Sequence, residues 1–111
     1  MKIELAKYLL DALTACRAIT SFTAGKSFSE YSSDLLLRSA VERQFEILGE
    51  AFNRIDNMDK SFRSKNPSLG SIIGMRNRII HGYDSVDDNI VWDAVINHIP
   101  TLKEWLESLN L

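Results

Sequence analysis

The chain is poor in the residues that staple or punctuate a fold. Its 111 residues include one cysteine, two prolines and five glycines. A single cysteine rules out an intrachain disulfide and fits a reducing compartment. There is no Asn-Gly pair and no alternating Val/Ile/Thr run, so hairpins and strands have little support. No apolar stretch approaches the roughly 18 residues of a membrane-spanning helix. The first twenty residues are interrupted by Lys2, Glu4, Lys7, Asp11 and Arg17, which excludes an apolar leader core within them. We therefore expect a single cytoplasmic domain over residues 1–111, a length that can bury a core without metals or disulfides.

Several chemistries are missing as well. There is no cysteine pair, no His-Glu-x-x-His and no Asp-rich loop, so no metal-site spacing is present. A phosphate-binding loop, a dinucleotide fingerprint and a Gly-x-Ser-x-Gly elbow are likewise absent. The sequence thus calls for no cofactor and no metal. If it is catalytic, a metal-free acid–base site remains.

Net charge is −2, which argues against broad coating of nucleic acid. The charge is unevenly spread. Residues 1–53 sum to −1, residues 54–83 to +4 and residues 84–111 to −5. A basic middle is compatible with a phosphate-bearing ligand and equally with solvated surface.

What the sequence does have is helical periodicity. Leu5, Tyr8, Leu9, Ala12, Cys16 and Ile19 form a stripe over about 2–20, which places Cys16 in the core as an inert thiol. Residues 21–30 read as a loop. A long helix over about 31–57 carries Leu37, Val41, Leu48, Phe52 and Ile55, widened by Phe45 and Ala51. Its polar face holds Glu42, Arg43, Glu46, Glu50 and Arg54. Either that face is solvated, or one carboxylate pairs with a basic residue of another helix or subunit, Arg76 included. Residues 58–66 are polar, and Pro67 suits the first turn of a third helix over about 68–81. Gly70 and Gly74, four apart, would allow another helix to approach closely. Gly82 is expected to end the helix in the left-handed conformation. Ser85 and Asp88 resemble a capping box for a fourth helix with the stripe Val91, Ala94, Val95, Leu102, Trp105 and Leu109. Pro100 must kink or split it, and His98 is expected to be a core histidine with its hydrogen bonds satisfied. Short connections favour an all-α antiparallel bundle of four to five helices.

One residue breaks the pattern. Leu69, Ile72, Ile73, Ile79 and Ile80 share one stripe of the third helix, and Arg76 projects into it, about 40° round from Ile72. Arg78 points to the opposite side. A charge in an apolar stripe must meet a partner, an interface or an anion. His81 follows five residues later at the helix end, with Asn77 four residues before it on its face and Tyr83 two residues beyond it. RNA can be cleaved without a metal through its own 2′-OH, given a group that titrates near neutrality and a fixed cation on the phosphate. Arg76 and His81 are of those types. One histidine per chain is thin for both acid and base, and a two-fold dimer would supply the second. The alternative is a structural arginine bound to helix carbonyls or Glu46.

The run Arg76-Asn77-Arg78-Ile79-Ile80-His81-Gly82-Tyr83 resembles the Arg-x4-His-x-Tyr motif of the HepT toxins, the DUF86 branch of the HEPN superfamily. Residues Ala40 to Ala51 resemble the family's long-helix signature. Ile90-Val91-Trp92 and Ile99-Pro100 with Leu102 resemble its last helices. The segment Asn66-Pro67-Ser68-Leu69 departs from the family in lacking a Pro-Trp pair. The resemblance implies a homodimeric HEPN-like bundle and a metal-independent endoribonuclease, the toxin of a type VII-like toxin–antitoxin pair, with its cleft at the dimer interface. It implies catalytic roles for Arg76, His81 and Asn77. It also implies a partner, an MntA-type nucleotidyltransferase antitoxin that transfers AMP to Tyr83. A second expectation, of a different class, is a non-catalytic helical subunit that serves such a nucleotidyltransferase as a binding partner.

Overall fold

The computed structural model describes residues 1–82 and 86–111 and is all-α. Among the described residues there are seven helices: α1 Ile3–Thr23, α2 Phe28–Ser33, α3 Leu35–Met58, α4 Ser61–Lys65, α5 Ser68–His81, α6 Asp88–Asn97 and α7 Ile99–Ser108. The two more than the upper expectation are short pieces, α2 and α4. Among the described residues, no helix is long and apolar enough to cross a membrane.

The long helix α3 is the spine. Its whole expected stripe, Leu37, Val41, Phe45, Leu48, Ala51, Phe52 and Ile55, is buried. Helix α1 packs on one side of it and α5 on the other, while α7 covers α1 and α6 joins α7. Helices α1 and α3 run antiparallel: Tyr8 near the start of α1 lies against Arg54 near the end of α3, while Arg17 ties α1 to Glu107 near the end of α7. Burial of about 25 cal/mol per Å² of apolar surface along this spine is the main force holding the bundle.

Local chemistry moved several boundaries. Helix α1 runs one turn past the expected end, with Thr23 buried and its Oγ1 donating to the Ile19 carbonyl at 2.8 Å. Within the expected loop, Ser27 and Glu30 form a reciprocal capping box at 3.1 and 3.0 Å that starts α2. The expected single helix over 31–57 is broken at Asp34, whose extended backbone and carboxylate cap the start of α3 through Leu37 N–H at 3.1 Å. In the polar segment 58–66, Asp59 accepts from both Ser61 N–H and its hydroxyl. Phe62 is buried edge-on to Trp105, centroids 5.9 Å apart, which gives α4. Asp56, buried under this corner, accepts from Arg63 and Lys60. Pro100 does split the last helix, at His98, and the half-buried imidazole Nδ1 pairs with Ser68 Oγ at 2.9 Å. Leu106 and Ile99, outside the expected stripe, are fully buried.

Two expectations fail. Ile80 is 43 % exposed, while Met75 is buried in its place. Gly82 has φ −79°, so it is not left-handed; a Cβ there would meet the Arg78 carbonyl oxygen at 2.4 Å. The start of α6 is capped by Asp87 accepting from Asn89 N–H, whereas the Ser85 half of the expected box lies outside the described residues.

Cys16 is fully buried, and burial pushes its thiol up to about 12. It should therefore stay unreactive toward a disulfide-exchange reagent at pH 8 in the native fold and react fully in denaturant. Rapid native labelling would contradict its core placement.

Candidate active site

Helix α5 starts at Ser68 after Pro67 and ends with Arg78 and His81 in its last turn, where cations are favoured. Leu69, Ile72, Ile73 and Met75 bury one face against α3. At Gly49 the two helices approach too closely for a side chain on α3. A Cβ there would lie 2.2 Å from Arg76 Cβ and 2.7 Å from its Cγ, so only glycine admits the arginine stem at this crossing. Close approach was expected at Gly70 and Gly74. Gly74 has nothing within 4 Å of a Cβ, and Gly70 meets only the Arg63 guanidinium, so neither makes a helix crossing.

Arg76 has 23 % of its side-chain surface exposed. Its Nη2 donates to Glu50 Oε2 at 2.8 Å, and its Nη1 donates to Asn77 Oδ1 at 2.9 Å. Its Nε is buried without a hydrogen-bond partner among the described residues. Guanidinium carries five N–H donors. With Nε turned inward and one donor used on each terminal nitrogen, one N–H remains on each terminal nitrogen. That is the pairing a bidentate oxyanion ligand needs. Glu50 also accepts from Arg54 Nε through Oε1 at 3.0 Å. Arg54 in turn lies over the Tyr8 ring, 5.6 Å from its centroid.

The expected carboxylate ladder on α3 divides into separate roles. Glu46 pairs with Arg43 at 3.0 Å, and Glu50 takes the two arginines. Burial, and then Asp88, holds the Glu42 carboxyl above its ordinary range. Glu50, not Glu46, is the partner of Arg76.

Two cavities border α5. One, of about 380 Å³, lies among α1, α3 and α5 and is lined by Tyr8, Glu46, Glu50, Arg54, Arg76 and Ile80. The other, of about 570 Å³, lies on the α6 side and is lined by Asn77, Arg78, His81, Gly82, Val86 and Ile90, among others. Arg76 and His81 therefore open on different cavities, as five helical steps of about 100° require. Asn77 links them, since it lines the His81 cavity while bonding Arg76. Its Oδ1 accepts from the arginine and so helps to hold it. Arg78 does point away from Arg76, as expected, but it shares the cavity of His81, which the sequence did not indicate. Tyr83 lies outside the described residues. No group of three or more His, Cys, Asp and Glu is placed to hold a metal ion among the described residues.

Sequence comparison gives the context for this geometry. The family profile described as "Ribonuclease HepT-like" matches residues 12–109. A provisionally named RNase of Caldanaerobacter subterraneus subsp. tengcongensis is 33 % identical over 104 residues, covering 92 % of this chain and 90 % of that one. Another provisionally named RNase, from Methanocaldococcus jannaschii, is 32 % identical over 108 residues, covering 96 % of each. A protein of Thermococcus cleftensis, provisionally named ribonuclease HepT, is 34 % identical over 112 residues, covering 99 % of each. No solved structure matches the chain.

The contrast between the two glycines is testable by thermal denaturation. Gly74→Ala, in open space within a helix, should stabilise by up to about 1 kcal/mol. Gly49→Ala should destabilise by about 1–3 kcal/mol through overpacking against Arg76. Equal effects of the two would contradict the assigned crossing point.

Proposed function

Because the chain belongs to the HepT-like ribonuclease family, we propose that it is a metal-independent endoribonuclease and the toxin of a toxin–antitoxin pair. The observation that carries the reading is the Arg76 guanidinium. It is fixed by Glu50 and Asn77, keeps one N–H on each terminal nitrogen, and stands next to the cavity of His81.

In this reading Arg76 grips the non-bridging oxygens of the scissile phosphate. The RNA 2′-OH gives its proton to a histidine acting as base, and its oxygen bonds to phosphorus. The bond from phosphorus to the 5′-oxygen breaks, and that oxygen takes a proton from an acid. The products are a 2′,3′-cyclic phosphate and a 5′-hydroxyl. As negative charge builds on the phosphorane oxygens, a guanidinium already in place stabilises it without reorganisation. Acid and base are the His81 residues of two copies related by a two-fold axis. Support for pairing near the end of α5 comes from Ile80, an isoleucine 43 % exposed beside Arg76 in one cavity and one residue from His81. Arg78 adds a second cation on the His81 side.

Silencing is proposed to follow from transfer of AMP to Tyr83 by an MntA-type nucleotidyltransferase antitoxin. Tyr83 follows His81 by two residues in the sequence, and the negative charge of an added AMP would repel an RNA phosphate.

His81→Ala should abolish cleavage of RNA and growth arrest on expression, with the melting temperature nearly unchanged because His81 is exposed. Arg76→Ala should cost more activity than Arg78→Ala. Retained cleavage by His81→Ala would sink the catalytic assignment. Incubation with ATP and the nucleotidyltransferase should add mass in units of AMP, and Tyr83→Phe should abolish that addition.

A further inference from the structure

We infer that Glu50 is a positioning residue for Arg76, acting through a chain of contacts that crosses three helices; this rests on the ribonuclease reading above. A glutamate beside a substrate-binding arginine has two physical possibilities. It can be a loose counterion that an incoming phosphate displaces, or a fixed strut that aims the guanidinium.

The geometry points to the strut. Both carboxylate oxygens of Glu50 are engaged, Oε1 by Arg54 at 3.0 Å and Oε2 by Arg76 at 2.8 Å. Arg54 is itself held between Glu50 and the Tyr8 ring of α1. A carboxylate pinned at both oxygens does not swing aside freely, and its orientation passes to Arg76. At the other end, Gly49 places the Arg76 stem directly on the α3 backbone, so the side chain is fixed at its root and at its tip. The trio Glu50, Arg54 and Arg76 keeps one net positive charge, so the strut does not cancel the attraction for phosphate. Gly49 and Glu50 are adjacent, and one turn of α3 thus supplies both the seat and the strut.

The test uses the full chain and a fluorophore-quenched single-stranded RNA of randomised sequence. Glu50→Ala should lower kcat about 10- to 100-fold, the scale of a misaimed catalytic group, with KM changing less than about threefold. Glu50→Gln keeps one acceptor oxygen where two are used, so it can hold only one of the two arginines and its kcat should fall between the parent and Glu50→Ala. In an Arg76→Ala background, Glu50→Ala should have no further effect, because its action runs through that arginine. Gly49→Ala should show the same fall in kcat if it folds; the Glu50 variants decide the matter if it does not.

Three results would overturn the inference: an unchanged or raised kcat in Glu50→Ala with a lowered KM, the mark of a displaced counterion; a Glu50→Gln no more active than Glu50→Ala; or an equal loss in the Arg76→Ala background. A wild-type rate for Arg76→Ala would overturn the ribonuclease reading itself. An inactive Arg76→Ala beside a fully active Glu50→Ala would overturn only the role of Glu50.

Discussion

The contact between Gly49 and the stem of Arg76 is the constraint on which the site depends. Two helices that pack through ordinary side chains keep their axes about 8–10 Å apart. At this crossing one of the side chains is missing, and the other belongs to a charged residue. The arginine can leave the apolar stripe of α5 only because α3 offers bare backbone for its aliphatic carbons and a carboxylate one residue on for its head. An alanine in place of Gly49 would push against two carbons of the arginine at once, neither of them the free end of a flexible chain.

That arrangement answers the energetic problem the sequence poses. A guanidinium at an apolar stripe loses hydration, and the loss must be offset by hydrogen bonds in good geometry. Glu50 and Asn77 provide two, and 23 % of the side chain remains exposed. The arginine is therefore held tightly enough to have one orientation and left open enough to bind. Full burial would give the first property without the second, and a surface arginine such as Arg78 has the second without the first.

Much of this was legible in the sequence, for reasons that differ from residue to residue. The stripe of α3 was readable because a fully buried face of a long helix must be apolar at nearly every position, from Leu37 to Ile55. Arg76 was readable because a charge breaks such a pattern. The breaks at Asp34 and in the segment 58–66 were missed because they depend on short-range capping by Ser27, Asp34 and Asp59, which polar residues in a solvated helix imitate. Gly70 and Gly74 misled because two glycines four apart look like a packing groove, whereas the single Gly49 on the facing helix makes the crossing. Its signal was its position directly before Glu50, but only the facing helix reveals what a glycine there is for. Which of three glutamates meets Arg76 is set by the vertical register of α3 against α5, and periodicity within one helix carries no register between two.

The spacing of five between Arg76 and His81 follows from the same register. Four steps along a helix turn a side chain through about 40°, five through about 140°. At a spacing of four, the imidazole would lie on the arginine's own face, within reach of the α3 carboxylates, and Glu50 would have a second cation to choose. With five, the arginine keeps the carboxylate and the histidine opens on a separate cavity, with Asn77 joining the two sides. Within one chain this division leaves Arg76 and His81 facing apart. In the ribonuclease reading proposed above, a substrate that touches both lies across the end of α5, where Ile80 is exposed. The separation of the two side chains is why that reading calls on a second copy of α5 to complete its site.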